Sequence, residues 1–300
     1  SNFICLCLRL YYVLCEEGVR MVKQDTILKK LVFVILLFLL LSFVLMPFIT
    51  MFSSSFKPDN EQGAFPPTIL PDDPTIAHYK GVLNPEIFPF LIYFKNSLIV
   101  AFLSAGIGVV ISIFGSYSFA RLEYTGRAAI QRGVLVVYMF GGVLLVIPLF
   151  QMVTKLGLFD TRTSLIITYI VQTLPVSLYM LGNYFRTIPE SIEEAAIIDG
   201  CSRLEVIYRI VIPLSAPAIV SVFIYAFMIA WNEYLFASVF INSSSLRTLP
   251  LGLNQLFYTQ HYIWGRMMAA SILTAVPVII LFLSIERFIT SGLTFGGVKE

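Results

Sequence analysis

Few side chains in this 300-residue sequence could do chemistry, and they gather in two places. The first is residues 187–214, TIPESIEEAAIIDGCSRLEVIYRIVIPL. There Glu190, Glu193, Glu194 and Asp199 surround the small pair Ala195-Ala196, and Gly200 follows at once. The second is Trp231-Asn232-Glu233, where one carboxylate interrupts an otherwise uncharged apolar run. Neither is a catalytic constellation. Cys5, Cys7 and Cys15 match no zinc spacing and have no histidine nearby. His78 and His261 both fall in segments assigned below to the outer side, which argues against a buried His relay or a metal site. No G-x-x-x-x-G-K-[ST] string exists to cradle nucleotide phosphates, and no run of carboxylates resembles the relays of proton-coupled carriers. What remains is contact chemistry: an acidic knob for something else to grip, and a polar patch in an apolar wall. No metal or cofactor is expected in this chain.

The elements that position these residues must be membrane helices. Hydrophobic residues make up 58% and charged residues 13%, against roughly a quarter charged in a soluble domain. So few charges cannot cover a water-exposed surface. A net charge of +2 is too small to imply nucleic-acid binding, and the cysteines outline no disulfide framework. The expectation is an all-α, polytopic membrane protein with six spans near 31–51, 96–120, 133–154, 163–185, 214–240 and 267–285. Each approaches or exceeds the roughly 17–25 residues a crossing helix needs. Helices are required because unpaired backbone amides in hydrocarbon cost several kcal/mol each.

Six spans put both termini on one side, and the Lys/Arg bias places that side in the cytoplasm. Lys29, Lys30, Arg121, Arg127, Arg132, Arg186, Arg203 and Arg209 then lie inside. The three lysines of 52–95 (Lys57, Lys80, Lys95) are spread over the longest outer connector. The apolar stretch 3–14 is too short to span and is interrupted by Arg9. Glu16, Glu17 and Gly18 stand where a signal peptide would need small residues. The natural chain is therefore expected to begin at Met21, leaving 1–20 as a non-native or mis-started extension ahead of a membrane domain over 21–300.

The inner loop 186–213 has its own local logic. Thr187 with Glu190 reads as a capping box, and Pro189 suits a first helical turn. A helix over about 189–199 should stop at Gly200, which tolerates positive φ. A second should begin near Ser202 and meet Pro213 at the membrane face. On composition alone this is also what a solvated loop helix looks like.

The literal string goes further. Glu194-Ala195-Ala196, Gly200 after three residues, and Ile210-Val211-Ile212-Pro213 after nine more resemble the EAA signature of binding-protein-dependent ABC importer permeases. Ile212 stands where leucine is usual. Trp231-Asn232-Glu233, the stretch 249–253 (LPLGL) and the tail 291–299 (SGLTFGGVK) are similar to the carbohydrate branch, nearest the maltose-transporter MalG-type pattern. Phe295 departs from the usual Gly-Leu-Thr-Ala-Gly, which bears on the sugar rather than on the family. The likeness covers roughly Met21 to Glu300.

The resemblance implies a transport subunit of the bacterial inner membrane rather than an enzyme. ATP and Mg would be bound by a separate cytoplasmic ATPase dimer. A second, related permease would complete the pore, and an extracytoplasmic binding protein would deliver a sugar. It implies an ATPase-coupling helix that uses Glu193, Glu194, Ala195, Ala196, Asp199 and Gly200, with Ile210 and Pro213 behind it. A second ATPase contact is implied at Thr294, Gly296, Gly297 and Lys299. Other small solutes on the same scaffold, a self-powered carrier and a membrane enzyme are the competing readings.

Within the spans, Trp231, Asn232 and Glu233 either line the solute route or serve packing. Gln172 and Thr173 either line it or satisfy interhelical hydrogen bonds. Ser104, Gly108 and Ser112, four apart, read as a close-packing seam, and Gly141-Gly142 as a site of backbone approach or flexibility. The aromatics between Phe257 and Trp264 suit sugar stacking, a binding-protein contact or an interfacial belt.

Overall fold

The computed structural model describes residues 27–64, 68–139, 141–257 and 263–295. The expectations for residues 1–20, His261, Gly296, Gly297 and Lys299 fall outside these, and Thr294 is described only as part of a helix. Among the described residues all regular structure is helical. The helices are α1 (Ile27–Phe56), α2 (Ala77–Leu83), α3 (Phe90–Arg121), α4 (Arg127–Met139), α5 (Gly141–Lys155) and α6 (Arg162–Phe185). They continue as α7 (Glu190–Ile198), α8 (Arg203–Leu214), α9 (Ala216–Asn232), α10 (Leu235–Phe240), α11 (Leu249–Asn254) and α12 (Trp264–Phe295).

Four of these helices are long and apolar enough to cross a bilayer: α1, α3, α6 and α12. The 30 residues of α1 extend about 45 Å, more than the ~30 Å hydrocarbon core. Its side chains are apolar on every face and largely exposed, Phe43 to 77%. Such a helix is stable only against lipid or another chain.

The remaining apolar segments are broken. The expected third span is divided between α4 and α5, and Gly141 begins α5 at φ +67°. The expected fifth span starts at Ala216 rather than 214 and is interrupted at Glu233. Ahead of it, α8 contains a π-helical turn at Ile207–Val211 and meets α9 at 81°. The bend has a covalent cause. Pro213 and Pro217 both lack the N–H that an unbroken helix would need, and they flank Ser215, the residue between the two helices.

Helices α3 and α6 run side by side, and α9 packs across both. The expected seam holds: Ser104, Gly108 and Ser112 are all buried. A Cβ on Gly108 would come within 3.8 Å of Thr173 Oγ1. Ser116 then donates across to Leu178 O at 3.0 Å.

Two apolar clusters divide the bundle lengthwise. One joins the first half of α3 to the end of α9 and includes Tyr93, Tyr169, Phe227 and Trp231. The other gathers Val109, Tyr117, Phe185, Ala196, Val206 and Val211 around the α7 end. At the opposite end, Asp160 accepts from the backbone of Asn242 and Ser243, each at 2.9 Å, and from the Ser243 hydroxyl. These bonds hold its carboxyl below the usual carboxylate range. Asn96 donates to Ser245 O and Arg247 O, tying the connector after α10 to α3. His78 is a packed side chain there, its Nε2 2.7 Å from Lys57 O.

Candidate functional site

The knob forms where the sequence placed it but is fastened differently. α7 starts at Glu190 with Pro189 at its N-cap and without a side-chain cap. The Thr187–Glu190 capping box does not form. Thr187 Oγ1 instead donates back to Tyr184 O at 2.7 Å, and Glu190 turns to Arg121. A complete capping box sits one helix later: Glu205 N donates to Ser202 Oγ, and Ser202 N donates to Glu205 Oε2 at 2.8 Å. The stop at Gly200 is as expected, with φ +87° and open space around a would-be Cβ.

The expected contact residues divide between two faces of α7. Glu193 and Ala196 are buried. Ala196 sits in the apolar cluster with Tyr117, Phe185 and Val206. Glu193 accepts from Arg121 Nε at 2.7 Å and from Tyr117 Oη at 3.0 Å. Glu194, Ala195, Asp199 and Gly200 face outward. Beside them Ile198 is 85% exposed, with Ile192, Leu204 and Tyr208 also uncovered. Ile210 is half-buried against the same cluster as Ala196, and Pro213 is exposed on α8. The exposed face is thus apolar at its centre with carboxylates alongside. The buried face belongs to the bundle.

Two residues of this site escaped the sequence reading. Arg121, at the end of α3, counted there only as a positive charge fixing orientation, and Tyr117 carried no assignment. Arg121 is 8% exposed at its side chain. Its remaining donors reach Glu190 Oε1 at 3.3 Å, Phe185 O at 2.8 Å and Ile188 O at 2.6 Å.

The second patch resolves into separate roles. Trp231 is 2% exposed, stacked on Phe227 at 5.6 Å and edge-on to Phe94 at 5.8 Å, so it packs the core. Glu233 lies at the α9–α10 break and is half-buried. Its carboxylate accepts from Phe236 N at 2.8 Å, Ala237 N at 3.2 Å and Tyr169 Oη at 2.8 Å. It thereby caps α10 and pins the break to α6. Asn232 is exposed, and its amide donates to Met228 O. Thr173 is buried and donates to Tyr169 O at 2.8 Å within its own helix. Gln172 differs: its Oε1 is buried without a partner, and it lines a cavity of about 460 Å³ with Tyr138, Gly142 and Tyr225. That volume lies within the range of small-molecule sites, about 300–1,000 Å³. Gly142 is a point of close approach, since a Cβ there would lie 3.3 Å from Gln172 Nε2.

Comparison with known proteins identifies the family of the chain. Residues 108–292 match the family model described as binding-protein-dependent transport system inner membrane component. The chain is 53% identical over 249 residues to the inner membrane ABC transporter permease protein YcjP of Escherichia coli (strain K12). That alignment covers 83% of this chain and 89% of the other. It is 40% identical over 227 residues to the trehalose/maltose transport system permease protein MalG of Thermococcus litoralis, covering 75% and 81%. In fold it is similar to a chain of a bacterial ABC transporter involved in the import of the acidic polysaccharide alginate. The TM-score is 0.73 at 22% identity, over 87% of this chain and 96% of that one.

Proposed function

We infer the function from one fact: the chain belongs to the family of binding-protein-dependent transport system inner membrane components and is a membrane permease subunit, a transport component and not an enzyme. From that premise we propose that it carries a mono- or oligosaccharide across the bacterial cytoplasmic membrane, driven by an ATPase bound at α7. The relative from Thermococcus litoralis, named for trehalose and maltose, supports the sugar assignment.

The single observation that carries the mechanical part is the two-faced character of α7. One face is locked into the bundle through Glu193 and Ala196. The other holds Ile198 at 85% exposure on a helix of nine residues, too short to cross a bilayer. An exposed apolar patch of this kind marks a partner contact. On this reading the partner is a cytoplasmic ATPase dimer, which binds ATP and Mg. Glu194, Ala195, Asp199 and Gly200 meet its surface, and the tail Thr294–Lys299, with Gly296 and Gly297, makes a second contact.

The topology that fits is six spans with both termini inside. α1, α3, α6 and α12 each cross once, α4–α5 crosses as one bent span, and α9–α10 as another. α8 lies along the inner face. The exposed apolar flanks receive lipid and a second, related permease, and an extracytoplasmic binding protein docks at the opposite end. Gln172 and Asn232, with Tyr138 and Tyr225, line the route in this subunit.

Replacing Gly200 tests this. A non-glycine residue at φ +87° is strained by roughly 1–2 kcal/mol, and a β-branched one by more. G200V is expected to insert normally yet lose co-purifying ATPase and uptake of labelled sugars. Full uptake by G200V would remove α7 from the coupling role. Uptake of other solutes with no sugar among them would remove the cargo assignment.

A further inference from the structure

We infer that Arg121 is the positioning residue that makes α7 move as one body with α3 and α6. This rests on the reading of α7 as the ATPase contact and goes beyond it. The docking face lies on the outer side of α7, whereas the Arg121 clamp lies behind it.

One guanidinium joins three helices. Its Nη2 donates to the O of Phe185, the last residue of α6, and to Ile188 O in the turn before α7. Its Nε donates to Glu193 and its Nη1 to Glu190, both in the first turn of α7. A helix N-terminus favours those carboxylates. Tyr117, one turn back on α3, donates to the second oxygen of Glu193 at 3.0 Å. Arg121 and Glu193 are 8% and 7% exposed, so the pair is shielded from water and salt, and its bonds are charge-assisted. The planar fork reaches all four acceptors at once, which a lysine ammonium on a flexible stem cannot do. The further ties are weaker: Tyr117 gives one hydrogen bond to Glu193, and Ala196 offers one methyl group to the apolar cluster. Without the clamp, a push on α7 would bend the turn at residues 186–189 instead of displacing α3 and α6.

The inference is tested on the whole complex with ATPase bound, using spin labels at Ser191→Cys on α7 and Glu123→Cys just past α3, native cysteines replaced. The probe is Mg with a non-hydrolysable ATP analogue. In the unmodified clamp the inter-label distance should remain one narrow population with and without nucleotide. In R121Q and in E193A, a second and longer population should appear when nucleotide is added, while the ATPase still co-purifies. E193A separates the clamp from simple capping, because it leaves Nη2 on Phe185 O and Ile188 O. A narrow distribution in both variants, or broadening in R121Q alone, overturns the inference. So does loss of the ATPase from R121Q, since the clamp does not face the docking surface. Absence of the ATPase from the parent complex would instead sink the docking reading, and this inference with it.

Discussion

Glu233 shows what a lone carboxylate in an apolar run can be for. A charge within a membrane-crossing helix costs up to roughly 2.5–3.5 kcal/mol on insertion scales, and three donors to Glu233 offset it: two backbone amides and the Tyr169 hydroxyl. Removing it leaves those donors short of a partner, at about 1–3 kcal/mol for a buried group. E233A is therefore expected to lower the thermal unfolding midpoint of the purified protein while leaving ATPase co-purification unchanged. A double-mutant cycle with Y169F should return a coupling of about 0.5–3 kcal/mol. An additive cycle would mean that the Tyr169 bond contributes nothing. The sequence exposed Glu233 as an anomaly but not its partners, because Tyr169 lies 64 positions away and no periodicity links them. Arg121 was hidden for the same reason. A basic residue ending a span satisfies the orientation bias so well that nothing marks it as buried.

At the scale of elements, the four long helices were readable because charge-free windows of that length have one physical solution. The breaks were not. Pro47, Pro148, Pro175 and Pro277 all sit inside continuous helices, as membrane helices allow, so proline alone did not distinguish the bend at Ser215. Two prolines four apart did the work there. The misplaced capping box teaches a related lesson. Thr187-x-x-Glu190 and Ser202-x-x-Glu205 are equivalent strings, but Arg121 draws Glu190 away and leaves only the second box intact. S202A should thus cost about 1 kcal/mol of local stability and speed amide exchange over Arg203–Val206 about fivefold. T187A should leave exchange in α7 unchanged. Equal effects from the two substitutions would contradict this assignment of the caps.

For the whole molecule, the division into two apolar clusters sets what can move against what. The cluster at the α7 end contains Ala196, Val206 and Val211, so the knob, the π-helical turn and the lower halves of α3 and α6 share one core. The other contains Leu249 and Leu256 of the connector before α12, with Asp160 and Asn96 fastening that connector from outside the core. Between them run the small residues of the α3–α6 seam, where few side chains would have to repack if one end shifted relative to the other. On the proposed coupling, such a bundle responds to a push at one end only if that end faces the ATPase, so its orientation in the bilayer decides the mechanism. With six spans and an inner N-terminus, Cys201 lies on the cytoplasmic side and Asn242 lies outside. A membrane-impermeant maleimide should leave the unsubstituted protein unlabelled in intact spheroplasts and label N242C. Cys201 should become reactive only after permeabilisation. Labelling of Cys201 from outside, with N242C protected, would invert the chain and place α7 beyond the reach of any cytoplasmic ATPase.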